Sequence, residues 1–240
     1  IELDHVGLNH LSWELGARLR HADGTATEVL DTLLMHHGDA LADETELPLA
    51  LMRSERSIPS YYLRYYWEHD ALVERARSAP SRAEEVAAIE RELLALYADP
   101  ALTEKPALLA QRGGAFYSEA AIGLLSSLLG TGPARDHVVN VRNHGILPFL
   151  DDDAVIETRA HVSVGEVRVY PVPEVPPLAA GLIAHVTRYE QLGVEAALYG
   201  GRDRVVRALL AHPLVGQYDK AQILADRLIA ENQDWLPWAP

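Results

Sequence analysis

The sequence predicts an α+β fold in which helices accompany one small antiparallel sheet. Three observations lead to this prediction. Most of the chain carries apolar residues at the helical intervals of three and four, whereas between residues 136 and 172 the period becomes two, as in strands. With 240 residues and 48% hydrophobic content, the chain can also bury a sizeable core. Because no internal repeat or low-complexity tract interrupts it, we predict one domain over residues 1–240.

The first elements along the chain are strands. Residues 1–20 alternate in polarity, with an interruption at Gly7, and end at a turn over 22–24. A short helix is predicted over 25–37, and the polar stretch after it is assigned no element. Another helix is predicted after Pro59, because apolar side chains recur there at helical spacing, at Tyr62, Tyr65, Tyr66 and Leu72.

The helix that follows Ser81 carries the strongest local signals. Ser81 and Glu84 form a capping-box pattern, in which a hydroxyl and a carboxylate satisfy two backbone N–H groups. Pro100 prevents the helix from extending far beyond Tyr97. A further helix is predicted over 116–129.

The last part of the chain contains the remaining strands and helices. Three short strands, which we expect to form the antiparallel sheet, are predicted at 137–141, 154–158 and 167–170. A proline-rich stretch then ends the sheet. Three helices are predicted at 178–199, 202–211 and 220–232.

Composition excludes several classes of function. The formal net charge of −14 argues against nucleic acid and membrane as partners, because phosphate-rich surfaces repel an acidic protein. The chain contains no cysteine, so it provides neither a disulfide nor a thiolate metal site. No apolar run approaches the ~20 residues of a membrane span and no secretory leader opens the chain, so we expect a cytoplasmic protein. Because the sequence opens at Ile1 within an apolar, β-branched segment, we expect it to be part of a longer protein.

Two groups of side chains near the N-terminus are candidates for chemistry. Asn9 and His10 follow the first strand and offer an amide and an imidazole at a strand exit. The alternative for His10 is a buried histidine hydrogen-bonded within a sheet, which the residues alone favour. Tyr62 belongs to a tyrosine-rich segment, for which aromatic packing is the simpler explanation. A tyrosine acts as a general base only beside a positive charge, because its ordinary pKa is about 10.

Arg82 is a further candidate, because it lies in the first turn of the capped helix. The free N–H groups and the positive end of the helix dipole suit a phosphate there, and a guanidinium clamps phosphate well. The alternative is a solvated surface arginine. The Gly-Gly segment at 112–118 is a further candidate for an anion site, although a simple chain reversal explains it, and the loop at 141–145 is also explained by a turn.

Taken in order, these segments resemble glycoside hydrolase family 4. GLNHLSW at 7–13 is similar to the family motif GLNHLGW, and PSYYLRYY at 59–66 is similar to PxxYLRYY. RGGAFYS at 112–118 is similar to RGGAYYS. Further segments resemble the family at 81–93, 139–157 and 189–215. These segments follow the family's order and cover essentially the whole chain, with most similarity to its 6-phospho-β-glucosidase branch.

The resemblance implies a C-terminal, substrate- and metal-binding domain over 1–240, with an architecture like that of lactate and malate dehydrogenases. The family's N-terminal Rossmann domain, which binds NAD, is absent here, because the 240 residues contain no Gly-x-Gly-x-x-Gly. The implied reaction oxidises C3 of the sugar with NAD, removes the C2 proton, eliminates the leaving group from C1 and adds water. A divalent metal, usually Mn2+, is implied to stabilise the enediolate.

The resemblance also implies roles for individual residues. His10 corresponds to a metal ligand and Tyr62 to the catalytic base. Arg82 corresponds to an arginine that contacts the 6-phosphate, and Asn9 to a sugar contact. The implied substrate is a phosphorylated disaccharide or an aryl 6-phosphoglucoside, and the family implies a homo-oligomer. The chain departs from the family pattern at Ser12, Tyr61 and Arg142.

Three alternatives stay open. The first is another specificity of the same family: a 6-phospho-α-glucosidase, an α-galactosidase or an α-glucuronidase. The second is a dehydrogenase acting on 2-hydroxy acids, although its spacing of histidine and arginines is not found here. The third is a non-catalytic binding or oligomerisation module of the same fold. If the family assignment holds, we expect the 240 residues alone to be inactive, because NAD and the metal both require the other half.

Overall fold

The structure, a computed structural model, describes residues 1–112 and 117–238. It divides the chain into two units. The first unit comprises Ile1–Trp67, Val138–Arg159 and Tyr170–Pro240, and the second comprises Glu68–His137 and Ala160–Val169. The assignment of 1–240 to one domain stays a prediction. The Gly-Gly part of the predicted turn at 112–118 lies outside the described residues.

An antiparallel sheet runs through the first unit. Its N-terminal strands are β1 (Glu2–Leu8), β2 (Leu11–Arg20), β3 (Ala26–Glu28) and β4 (Ile58–Pro59). With β5 (Arg135–Arg142) and β6 (Val155–Ser163) the strand order is β3-β2-β1-β6-β5, and β4 also pairs with β2. The register of β1 and β6 places Val6 opposite Thr158 and Gly7 opposite Glu157. The predicted α+β fold with a small antiparallel sheet is therefore confirmed, and the N-terminal strands belong to that sheet.

The helices of the first unit are short in its N-terminal part and longer near the C-terminus. The short ones are α1 (Leu30–His36), α2 (Gly38–Thr45), α3 (Leu49–Glu55) and α4 (Arg64–Trp67), and 3-10 turns lie at Tyr61–Leu63 and Gln233–Trp235. The longer ones are α9 (Pro177–Tyr199), α10 (Arg202–Ala211) and α11 (Tyr218–Asn232). These last helices confirm the prediction for 178–232 to within a few residues.

One prediction for the N-terminal region was wrong in detail, and the stretch without a predicted element contains two helices. The predicted helix over 25–37 begins only at Leu30, because the preceding residues pair with β2 as strand β3. The following stretch, which was assigned no element, contains α2 and α3. Both of these helices end at a non-glycine residue in the left-handed region, Glu46 with φ 52° and Arg56 with φ 46°. Glycine usually occupies such positions, so the sequence does not indicate where α2 and α3 end.

The core of the first unit lies beneath the β1–β2 hairpin and fixes the segment that follows β4. Trp13 from β2 is 2% exposed, and its ring centroid lies 6.2 Å from that of Trp67. Leu63, in the middle of the tyrosine-rich segment, is fully buried and packs in the same cluster. Burial of a leucine side chain contributes roughly 1.5–3 kcal/mol. Leu63 and Trp67 therefore anchor this segment against the hairpin.

The second unit consists of helices and a short hairpin. Its helices are α5 (His69–Ser78), α6 (Arg82–Tyr97), α7 (Leu109–Arg112) and α8 (Tyr117–Leu129). Strand β7 (Glu166–Val169) pairs with residues 160–163 of β6, which belong to this unit. The predicted capping box at the start of α6 is confirmed, because the Ser81 hydroxyl accepts from the Glu84 N–H while the Glu84 carboxylate accepts from the Ser81 N–H. Across the described part of both units, no helix combines the length and apolar character needed to cross a bilayer.

Candidate active site

Asn9 and His10 form the turn that joins β1 to β2. Leu8 and Leu11 pair on either side of this turn, and both turn residues are exposed. His10 has φ 65°, in the left-handed region that non-glycine residues rarely adopt. Residues with such backbone angles cluster at functional sites. Gly7 sets up the turn, because it has φ 152° and a Cβ at this position would lie 2.2 Å from the Leu11 carbonyl oxygen. No other residue fits there without moving the hairpin.

The segment after β4 is bound directly to this turn. The Ser60 N–H donates to the Ser12 carbonyl at 2.8 Å. The Ser60 hydroxyl donates to the carbonyl oxygen of His10 itself at 2.7 Å. These two hydrogen bonds extend the β2–β4 pairing and bring Tyr62 against His10, with 4.2 Å between the ring centroids and 43° between the ring planes. The structure therefore brings His10 and Tyr62 together, with Asn9 next to His10 in the same turn.

Two other tyrosines surround Tyr62. Tyr61 packs its edge against Tyr62 with centroids 5.7 Å apart, and Tyr65 stacks on it with centroids 6.4 Å apart. Each of the three keeps about 40% of its surface exposed, between 38% and 41%. These three tyrosines are therefore not part of the core, whereas Tyr66 and Trp67 of the same segment pack against it. The three form a surface cluster beside the His10 turn.

A buried arginine holds this cluster together. The guanidinium of Arg64 lies 3.6 Å from the ring centroid of Tyr61 and 5.1 Å from that of Tyr65, and it forms an ion pair with Glu46. Burial works against its charged form, but hydrogen bonds to Tyr65 and Glu46 outweigh burial and raise the pKa of Arg64. Burial is also the main cause of the raised pKa of the Tyr61 phenol. At neutral pH, Arg64 is charged and Tyr61 is neutral.

A second histidine on the same hairpin has a different environment. The His5 ring donates from Nδ1 to Glu14 at 2.6 Å and from Nε2 to Glu157 at 2.9 Å, so one imidazole connects β2, β1 and β6. Burial alone would lower the pKa of His5. The two carboxylates outweigh burial and raise this pKa to about 9. A histidine hydrogen-bonded within the sheet, which was the alternative explanation for His10, therefore exists at position 5.

Arg82 belongs to the second unit. It begins α6, directly after the cap residue Ser81, and its side chain is 59% exposed. Its guanidinium donates to Glu85 at 3.1 Å and to the carbonyl of Gln111 at 2.9 Å. Because Arg82 and the His10 turn belong to different units, a shared phosphate site stays a prediction.

The residues present fit only part of a metal site. Among the described residues, no group of three or more histidine, cysteine, aspartate or glutamate side chains is arranged to hold a metal ion. His10 fits the role of one ligand, because its imidazole is exposed in the turn beside Tyr62. A metal at His10 would therefore need additional ligands from substrate oxygens or from residues outside the described ones.

Sequence reasoning missed the residues that support the site. Ser60, Arg64 and Glu46 were not candidates, although the spacing of three between Tyr61 and Arg64 is a helical one that allows the arginine to lie over the Tyr61 ring. Glu46 pairs with Arg64 from another element, and no local pattern reveals this pairing. The same is true of the Glu157 contact with His5, because it depends on the pairing of β1 with β6.

Comparison with known proteins gives consistent matches. The sequence pattern of the family 4 glycosyl hydrolase C-terminal domain matches residues 5–215. The 6-phospho-beta-glucosidase BglT of Thermotoga maritima is 32% identical over 98% of this chain and 55% of its own length. The 6-phospho-beta-glucosidase of Escherichia coli is 29% identical over 99% of this chain and 54% of its own length. The chain thus spans about half the length of the curated relatives it matches.

A solved structure gives the same match. The Thermotoga maritima 6-phospho-beta glucosidase, crystallised with manganese, NAD+ and glucose-6-phosphate, superposes with a TM-score of 0.86 at 32% identity, over 98% of this chain and 55% of that chain. By contrast, an alpha-glucosidase from Erwinia rhapontici is 27% identical over only 49% of this chain.

Proposed function

The chain belongs to the family 4 glycosyl hydrolases, whose C-terminal domain it matches, and we propose that it is the substrate-binding part of a 6-phospho-β-glucosidase that depends on NAD and a divalent metal such as Mn2+. The ring contact between His10 and Tyr62 is the observation that carries this proposal. The two side chains come from elements far apart in the sequence, and both are accessible to a substrate. The proposed substrates are phosphorylated disaccharides and aryl 6-phosphoglucosides.

Tyr62 is the proposed catalytic base. Its ring is half-exposed, and its neighbours Tyr61 and Tyr65 hold it in place, so the phenol can meet a substrate without a large rearrangement. In the proposed reaction the phenolic oxygen accepts the proton from C2 of the sugar. Loss of that proton permits departure of the leaving group from C1.

His10 is the proposed metal ligand. When bound, NAD supplies reversible oxidation at C3 of the sugar, and the metal supplies positive charge at the sugar oxygens. A cation held by His10 would also favour the ionised form of the neighbouring Tyr62 phenol electrostatically. Asn9, in the same turn, is proposed to donate to or accept from a sugar hydroxyl.

Arg82 is proposed to bind the 6-phosphate. Its guanidinium is more than half exposed and stands at the N-terminus of a capped helix, where free N–H groups also attract an anion. Its present contacts, with Glu85 and the Gln111 carbonyl, would have to exchange with the phosphate. We therefore expect both contacts to break when the phosphate binds.

NAD binding is proposed for the part of the relatives' length that this chain does not span. The 240 residues contain no dinucleotide fingerprint, so no cofactor contact is derived for them. We accordingly expect the 240 residues alone to be inactive, and the longer protein to act in the cytoplasm as a homo-oligomer. The β-glucosidase specificity is favoured over the α alternatives because the curated β enzymes align over nearly the whole chain and the alpha-glucosidase over half of it.

Turnover of matched substrates tests this function. The full-length protein, with NAD and manganese, is assayed on an aryl 6-phospho-β-glucoside, on its α anomer and on the unphosphorylated β-glucoside. We expect turnover of the first alone, and no turnover without NAD or by the 240 residues. Equal rates on the α anomer would replace the proposal with the α specificity. Turnover without NAD, or of the unphosphorylated sugar at an equal rate, would contradict the family chemistry.

A further inference from the structure

A cavity of about 450 Å³ lies next to the candidate active site, within the first unit. Ser12 and Glu14 of β2, Glu44 at the end of α2, and Ser60 and Tyr61 after β4 form much of its wall. This volume lies within the roughly 300–1,000 Å³ in which proteins hold small ligands. None of the roles proposed for His10, Tyr62 and Asn9 makes use of it.

The wall of this cavity is largely apolar and carries a few polar groups. Its polar side chains are two carboxylates, Glu14 and Glu44, and the hydroxyl-bearing Ser12, Thr45, Ser60 and Tyr61. Among its described lining residues, none carries a positive charge. The charge of Glu14 is paired with the His5 imidazole, so Glu44 is the carboxylate that disfavours a phosphate or a carboxylate in this cavity, whereas a ring with hydroxyl groups finds both acceptors and apolar surface in it.

Tyr61 gives the cavity a rigid aromatic wall. Arg64 covers one face of the Tyr61 ring at 3.6 Å and also pairs with Glu46, so the ring is held from behind. Tyr61 nevertheless keeps 38% of its surface exposed. An aromatic ring held in this way offers a flat apolar surface to the C–H face of a neutral ring, such as a pyranose.

The cavity shares its residues with the site of bond cleavage. Ser60, which lines the cavity, donates to the His10 carbonyl oxygen at 2.7 Å. Tyr61 packs edge-on against Tyr62. We propose that this cavity binds the leaving group of the substrate and selects a neutral, hydroxyl-bearing ring, such as a second sugar, over an anionic one. The inference rests on the proposed function, because it takes Tyr62 as the point of cleavage.

The ratio of kcat/KM between two substrates tests whether the aromatic wall binds the leaving group. The 6-phospho-β-glucosides of methanol and of glucose undergo the same chemistry at C2, but only the second has a ring to place in the cavity. Tyr61→Leu, which keeps apolar bulk but removes the ring, should lower kcat/KM for the disaccharide about tenfold relative to the methyl glycoside. Tyr65→Leu is the matched control, since Tyr65 also touches Tyr62 and Arg64 but does not line the cavity. An equal change of the ratio in both variants, or in neither, would overturn the inference.

The ratio of kcat/KM between two aryl substrates tests the charge of the wall. Aryl 6-phospho-β-glucosides with a neutral hydroxyphenyl or an anionic carboxyphenyl leaving group are compared. The anionic one should react at least about tenfold less efficiently, and Glu44→Gln should narrow this gap. Glu92→Gln, an exposed glutamate of α6, removes the same charge elsewhere and should leave the gap unchanged. Equal rates with both leaving groups in the unaltered protein would contradict the proposed selectivity.

Direct binding separates failure of this inference from failure of the proposed function. Methyl β-glucoside, which has no phosphate, is titrated into the protein while the backbone amide signals of Ser12, Glu14 and Tyr61 are followed by NMR. Saturable shifts that disappear in Tyr61→Leu and persist in Tyr65→Leu support the sugar site even if no phosphoglucoside is cleaved. If phosphoglucosides are cleaved but the substrate ratios do not respond to Tyr61, the function stands and the inference falls. If no cleavage occurs and no shifts appear at these residues, both fail.

Discussion

His5 and His10 lie on one β-hairpin, yet they have opposite environments. His5 is in the middle of the sheet, 12% exposed, and both of its ring nitrogens bond to carboxylates. His10 is in the turn, exposed, at φ 65°, with its ring against Tyr62. The His5 imidazole links three strands of the sheet. The His10 imidazole is accessible to a ligand. The two histidines therefore differ in the hydrogen-bond partners of their rings and in their exposure.

The comparison also shows how the site is supported. The His10–Tyr62 contact depends on Gly7, on the Ser60 hydrogen bonds and on the anchoring of Leu63, none of which takes part in chemistry. The His5 cluster lies on the same strands and fixes the register of β2, β1 and β6. The structural histidine therefore contributes to the position of the functional one through the sheet that both share.

The largest expected effect separates the two histidines by activity. In the full-length protein with NAD and manganese, His10→Asn should lower kcat on an aryl 6-phospho-β-glucoside by about 10³-fold, because a metal ligand is lost. His5→Asn should stay within about threefold of the unaltered protein, since His5 touches only carboxylates of the sheet. Steady-state kinetics at pH 7 measure both values. A larger loss in His5→Asn than in His10→Asn would reverse the comparison.

The next effect separates them by stability. With a folded pKa of about 9 against an ordinary value near 6.5, His5 binds its proton more tightly in the folded state. Its contribution to stability is therefore complete below pH 6.5 and is lost as the pH rises through 9. The loss amounts to about 3 kcal/mol in the free energy of unfolding. Urea unfolding of the protein at pH 6.5 and pH 9.5 measures it.

Two variants serve as controls for this pH dependence. His5→Asn should remove most of the loss between pH 6.5 and pH 9.5, because the titrating group is gone. His10→Asn should leave the loss in place. If His5→Asn unfolds with the same pH dependence as the unaltered protein, the cluster does not hold a protonated imidazole.

The smallest effect concerns a contact that is encoded locally. Ser81→Ala removes the N-cap of α6 and should lower the free energy of unfolding by about 1 kcal/mol. Ser78→Ala removes a hydroxyl that bonds to the end of the preceding helix, and should change stability by less than about 0.5 kcal/mol. Urea unfolding compares the two. An equal loss from both would mean that the capping box, the clearest feature of the sequence, contributes nothing specific.

The elements that were predicted correctly are those with clear local signals in the sequence. The capping box of α6 is written within four residues, and the helices over 178–232 follow a regular apolar period, so both were predicted correctly. The helices α2 and α3 were missed, since they end at Glu46 and Arg56 instead of at glycine. Local signals thus define elements well where the residue types agree with the backbone they adopt.

The candidate site was predictable only in part, for a similar reason. Asn9, His10 and Tyr62 were candidates from the sequence, their roles came from the family resemblance, and the structure places the rings of His10 and Tyr62 in contact. Their supports could not be found this way, because Arg64 pairs with Glu46 and Ser60 with the His10 carbonyl across different elements. Ser12 and Tyr61 departed from the family pattern without an evident reason. The structure places both of them in the wall of one cavity.

The central claim is that Tyr62, beside His10, removes a proton from C2 of a 6-phosphoglucoside. Its most direct test is the incorporation of deuterium at C2, followed by NMR, when the full-length protein acts on a 6-phospho-β-glucoside in D2O with NAD and manganese. The account predicts incorporation in the unaltered protein and in Tyr65→Phe, and at least about a hundredfold slower incorporation in Tyr62→Phe. Incorporation by Tyr62→Phe at the unaltered rate would contradict it.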